Sequence, residues 1–211
     1  MQSQKPISYV CKVPLAPAST APQLFLMTWW FAGIAGGIIL LYVVWTFNRL
    51  VGLKNRAKAA WSDIDVQLKL RWYLVPSLVA TVEGYTKHEA ETLQKVVGAR
   101  QLAMQAAQVG SIVARGQGEL SLAEAARGVF VLAEAYPDLK ANHNFLDLQK
   151  SLVDIEDNVQ YARRYYNAVV RDYNILIASF PAMFLASAFR FGSKEFFQID
   201  TDERVVPEVK L

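Results

Sequence analysis

Hydrophobic positions along this chain follow two different rules. From Leu24 to Phe47 there are 24 consecutive residues without a charge, LFLMTWWFAGIAGGIILLYVVWTF. As a helix that run is about 36 Å long, enough to cross a hydrocarbon core of roughly 30 Å with some tilt. Trp29, Trp30, Tyr42 and Trp45 crowd toward its ends, where amphipathic rings favour the membrane–water interface. The run is too long for a signal-peptide core, and no small-x-small cleavage site follows before Arg49. It predicts a permanent transmembrane helix over 24–47.

After Phe47 the apolar residues recur with helical period. Phe145, Leu148, Leu152, Ile155, Val159, Ala162, Tyr166, Val169, Tyr173, Leu176 and Phe180 alternate spacings of three and four through five heptads. Such a stripe stays on one face only if the helix packs along others in a left-handed supercoil. Asn142 or Asn144 can cap its start, and Pro181 marks its end. A first helix continues from the anchor to about Trp72, with Leu50, Leu53, Ala57, Trp61, Ile64 and Leu68 on its stripe. Pro76 suits the first turn of a second helix reaching Gln108, striped by Val79, Val82, Leu93, Val96, Ala103 and Ala107. Ser121 and Glu124 form a capping box that opens a third helix ending near Tyr136. QVGSIVARGQGE (108–119) reads as a flexible glycine-rich loop. No strand alternation and no internal repeat stand out. The fold expected is all-α: one N-terminal transmembrane helix, then an antiparallel four-helix bundle over 48–181 with long heptad-patterned helices.

Thr86, Glu89 and Arg100 fall on the apolar stripe of the second helix. They either fix the register between helices or lie on a partly open face. Arg163, Arg164 and Asp172 flank the heptad stripe, read as interhelical polar contacts or, more sharply, as a phosphate or acidic-lipid site.

Charge sets orientation. Arg49, Lys54, Arg56 and Lys58 follow the anchor, against Lys5 and Lys12 before it. The positive-inside rule then puts the amino end outside and the carboxyl domain in the cytoplasm, in a cell inner membrane. Residues 1–23 hold four prolines and no helical period, and read as a disordered external tail; Met27 offers an alternative start. Residues 48–211 carry all 19 acids and 20 of the 22 Lys and Arg, a net of +1. That balance gives no nucleic-acid surface.

Chemical motifs are absent one by one. His88-Glu89 lacks the second histidine of a zinc protease, because Thr92 stands there. Tyr85 and Lys140 precede His88 and His143 by three, so there is no di-iron pattern. Cys11 is the single cysteine. Phosphate loops and nucleophile elbows are missing, and Asp63 and Asp65 point to different sides of a helix. Asp65 and Lys69 suit an i,i+4 surface ion pair. The expectation is no metal, no cofactor, no small-molecule substrate and no enzyme.

The aromatic amphipathic segment 182–198 is more suggestive. Met183, Phe184, Leu185, Phe189, Phe191, Phe196 and Phe197 are interleaved with Arg190 and Lys194. These residues either enter the headgroup region at the bilayer surface, cap the end of the bundle as core, or form a subunit interface. A polar tail, 199–211, follows.

FNRLVGLKNRAKAAWSDIDVQLKLR (47–71), LVPSLVATVEGYTKHEAETL (74–93), AYPDLKANHNFLDLQ (135–149), YARRYYNAVVRDYNILIASFP (161–181) and FRFGSKEFF (189–197) together resemble the LemA family of membrane-anchored bacterial proteins. The likeness covers nearly all of residues 40 to 198. It implies a single anchor, an outside amino end and a cytoplasmic helical bundle, and no established catalytic activity. One branch of that family is associated with intracellular membrane compartments around magnetic crystals. The expected function is a non-enzymatic scaffold or adaptor that self-associates or binds other membrane proteins at the lipid bilayer, organising or shaping it. A module relaying an envelope event to the cytoplasmic bundle is the alternative.

Overall fold

The structure, a computed structural model, describes residues 21–86 and 89–198, with side chains from Trp29 onward. The tail with Cys11, the side chain of Met27, His88 and the polar segment 199–211 lie outside the described residues. Six helices follow one another: α1 (Ala21–Glu83), α2 (Ala90–Val109), α3 (Ile112–Ala133), α4 (Pro137–Lys140), α5 (His143–Ala178) and α6 (Ala182–Ala188). No strand occurs among the described residues. The described residues divide into two compact units, the division falling between Trp45 and Thr46.

In the first unit, large apolar side chains stand exposed on every side of α1. Trp29, Phe31, Ile38 and Leu41 are each more than 60% exposed. Water is a poor solvent for such a surface and lipid is a good one. Among the described residues this is one N-terminal helix long and apolar enough to cross a membrane.

The second unit is built on a main core and a smaller one. Ala57, Ala60, Ile64, Leu68, Val75 and Leu78 of α1 meet Leu93, Val96 and Ala103 of α2, Leu122 and Val129 of α3, and Phe145, Leu152, Val159, Tyr166 and Val170 of α5. Each large buried side chain contributes roughly 1.5–3 kcal/mol. The heptad stripe of α5 faces inward as its spacing predicts, with Tyr173 and Leu176 in the smaller core, except that Phe180 lies beyond the helix and is exposed. Trp61 packs on Tyr166, Arg71 pairs with Glu156, and Tyr85 accepts from Asn142. Partners therefore descend α5 as they ascend α1, so these two helices are antiparallel.

Two boundaries differ from the sequence reading, each for a local reason. Helix α1 does not stop near Trp72 but runs through Pro76 to Glu83. Pro76 has no N–H, which deprives the carbonyl of Trp72 of its helical donor. Arg100 Nε of α2 donates to that carbonyl at 2.8 Å instead. The break comes at Gly84, and α2 starts only at Ala90.

The presumed loop 108–119 is mostly helix. The α2–α3 turn is Gly110-Ser111 alone, with Gly110 at φ 75°, a left-handed position that favours glycine. Ser111 caps α3, its Oγ accepting from Ala114 N at 3.3 Å. Ser121 is not a cap; it sits mid-helix and donates to Gln117 O at 3.1 Å. Gly118 serves close packing rather than flexibility. A Cβ there would lie 3.1 Å from Ala103 Cα and 3.2 Å from Ala106 Cβ. Asn142 caps α5 as expected, accepting from Phe145 N at 3.0 Å.

Candidate functional site

Two features of the second unit stand out chemically: a buried polar network between helices, and an extended segment strapped along α5.

The network centres on Glu119, 1% exposed on α3. Its Oε1 accepts from Trp72 Nε1 at 2.8 Å, and its Oε2 lies 3.5 Å from Arg71. Arg71, 4% exposed, also pairs with Glu156 of α5. Arg115 of α3 pairs with Asp65 and lies over the rings of Trp61 and Trp72, at 5.3 and 5.9 Å. Burial pushes the Glu119 carboxyl up to about 7, against the pull of Arg71, the Trp72 hydrogen bond and Arg115. Asp65 shows the opposite balance. Partial burial raises it, but hydrogen bonds from Lys69 and Arg115 outweigh that and hold it below the ordinary carboxylate range. The Asp65–Lys69 pair closes at 2.6 Å as its spacing predicts. A carboxylate sealed as deeply as Glu119 is out of reach of a substrate, and its network bridges α1, α3 and α5. Reading Arg115 and Glu119 as loop residues hid the network from sequence reasoning; only the polar pair at four-residue spacing beside Leu122 could have signalled a helix there.

The strap runs over Gly192–Phe197. Asn174 Oδ1 accepts from Lys194 N and its Nδ2 donates to Lys194 O, both at 2.9 Å. Asn167 does the same with Phe197, at 2.9 and 3.0 Å. Tyr173 Oη donates to Gly192 O at 3.1 Å, and Tyr166 Oη to Glu195 O at 3.0 Å. Two Tyr-Asn pairs one heptad apart thus satisfy the backbone of a segment without regular structure. Tyr166 and Tyr173 stand on the heptad stripe in the sequence, but nothing there marks the asparagine after each as its partner in holding a strap.

The strap divides the aromatic segment. Phe197 is fully buried, edge-on to Trp61 at 5.3 Å. It belongs to the core, which is one of the three readings open for this segment, and so is not a membrane or partner contact. Leu185 and Phe191 are half-buried, and Phe191 joins a small second core with Leu50, Tyr173 and Ala186. Met183, Phe184, Phe189 and Phe196 are exposed, as is Arg190. Phe189 packs on Phe47 at 5.0 Å and Phe191 on Phe47 at 6.1 Å. Phe47 is the last residue of the apolar run in sequence.

Of the polar stripe residues, Arg100 reaches α1, and Glu89 accepts from Tyr136 at 3.3 Å. Thr86 is buried but bonds the carbonyl of Val82 behind it. Arg163 is half-buried. Arg164 lies over Tyr161 of its own helix at 4.6 Å, and Asp172 pairs with its neighbour Arg171 on the surface. Arg164 and Asp172 therefore do not set register, because their charges stay in solvent on one helix. Among the described residues no group of three His, Cys, Asp or Glu is placed to hold a metal ion.

A model of the LemA family matches residues 60–211. Protein LemA of Metamycoplasma hominis is 25% identical over 193 residues, covering 90% of this chain and 85% of that protein. Magnetosome protein MamQ of Magnetospirillum gryphiswaldense is 22% identical over 174 residues, 72% of this chain and 64% of that protein. Magnetosome protein MamQ 2 of Paramagnetospirillum magneticum is 33% identical over 70 residues, which is 33% of this chain and only 26% of that protein's length.

Proposed function

Because this chain belongs to the LemA family, we propose that it is a membrane-anchored, non-enzymatic scaffold that self-associates or binds other membrane proteins and organises the bilayer around them. The observation that carries the reading is the exposed aromatic platform. Phe180, Phe184 and Phe189 are 78%, 61% and 56% exposed, on a segment that packs against Phe47 and Leu50. Exposed apolar groups on a chain held at a bilayer favour contact with headgroups or with a protein in the same membrane.

In this reading α1, α2, α3 and α5 form an up-and-down four-helix bundle. The antiparallel α1–α5 partners and the two-residue α2–α3 turn support it. The amino end lies outside and the bundle in the cytoplasm, as the basic residues after the anchor favour. The magnetosome relatives fit a role in membrane organisation.

Photo-crosslinking in cells from positions 180, 184 and 189 tests the proposal. Adducts to a second copy or to another membrane protein are expected. Adducts to lipid alone, with a strictly monomeric chain in detergent and in bilayers, overturn the scaffold reading.

A further inference from the structure

A cleft of about 520 Å³ opens in the second unit between α1, the α2–α3 turn, α5 and the strap. Its lining holds Lys54 and Lys58 from α1, Arg115 from α3 and Lys194 from the strap, and no carboxylate among the described lining residues. We infer that this cleft binds a phosphate-bearing anion. The inference stands on the chemistry of the cleft and does not depend on the scaffold reading.

Three observations converge. Lys54, Lys58 and Lys194 have no carboxylate within salt-bridge distance among the described residues, whereas Lys69, Lys95 and Lys140 each do. Cations gathered around a concavity repel one another, and a bound anion relieves that repulsion. Second, the backbone of Lys194 is held at the edge of the cleft, since Asn174 bonds both its N–H and its carbonyl. Third, Arg115, 6% exposed, lines the cleft from α3 and is held there by its pairing with Asp65, so one cation of the wall is set by the buried network.

The lining also includes Ser111 and Ile112, the cap and first residue of the 22-residue α3. The start of that helix adds amides without helical acceptors and the positive end of its dipole. Several single-point donors around one space suit a tetrahedral anion, whose oxygens accept from several directions. The volume leaves room for more than a bare phosphate, as a lipid headgroup or a small phosphorylated molecule requires.

The test uses the full chain and two probes. Phosphorus NMR of inorganic phosphate in detergent reads a soluble ligand. Native mass spectrometry of protein released from nanodiscs of phosphatidylcholine mixed with phosphatidylglycerol reads a lipid headgroup. Lys58→Ala and Lys194→Ala should each weaken binding about tenfold, while Lys150→Ala on the exposed face of α5 leaves it unchanged. Far-UV circular dichroism confirms that the lysine variants are folded. Saturable phosphate binding lost in those variants assigns a soluble source. Retained phosphatidylglycerol lost in them, without phosphate binding, assigns the lipid. Binding of neither probe, or equal binding by wild type and variants, overturns the inference.

Discussion

Arg100 on α2 donates its Nε–H to the carbonyl oxygen of Trp72 on α1, at 2.8 Å. That carbonyl is the one Pro76 strips of its helical partner. The same tryptophan uses its indole N–H on Glu119 of α3. One residue of α1 is thereby tied to two other helices, and a proline that would end an isolated helix is accommodated inside a long one.

Replacing Arg100 with Ala should therefore cost about 1–2 kcal/mol, since the carbonyl is left without a donor. Pro76→Ala returns an N–H to the helix, so the same Arg100→Ala change should cost less in that background. Urea denaturation of the full chain in mild detergent, read by circular dichroism, measures the coupling. Equal costs in both backgrounds would show that Arg100 does not compensate for Pro76.

Glu119 gives the molecule a pH dependence of definite sign. Its carboxyl rises from an ordinary 4.5 to about 7 on folding. Between those values the native state binds more protons than the unfolded one, so stability falls as pH rises through the window. The contribution is about 3 kcal/mol at most, and Glu119→Gln should flatten the profile there. Urea midpoints of the two proteins, compared from pH 4.5 to 7.5, measure the difference, and parallel profiles would remove Glu119 as the source. Asp65 acts elsewhere. Its lowered pKa gives stability that is lost only in stronger acid, as pH falls below the ordinary aspartate range.

Gly118 faces Ala103 across the α2–α3 contact, where a Cβ would meet backbone at 3.1 Å. Gly118→Leu should cost roughly 1–3 kcal/mol by forcing the helices apart. Gly98, with open space around its own Cβ position, should tolerate Ala and gain helix propensity of about 1 kcal/mol. Thermal unfolding of both variants separates the two cases.

The apolar N-terminal helix and the heptad stripe of α5 were legible because each is a long, unbroken pattern. What misled were local signals that long-range contacts override. Pro76 looks like a helix start until Arg100 of another helix supplies the missing donor. Gly118 looks like part of a loop until α2 is seen to approach closely enough to need it. Arg115 and Glu119 gain meaning only when α1 and α5 bring Asp65, Arg71 and Glu156 to them. Among the terminal aromatics, composition alone does not separate buried Phe197 from exposed Phe184; the Tyr-Asn pairs of α5 decide that.

That division makes the last prediction. Phe197 is fully buried against Trp61, and its backbone is held on both sides by Asn167. Phe197→Ala should cost about 3–5 kcal/mol, the usual result of emptying an aromatic site in a packed core. Phe184→Ala, at an exposed position, should stay within about 0.5 kcal/mol in detergent. The two variants should then exchange rank in a crosslinking or membrane-binding assay, where Phe184 matters and Phe197 acts only through folding. If Phe184→Ala destabilised the protein as much as Phe197→Ala, the whole segment would be core and the exposed platform would lose its basis.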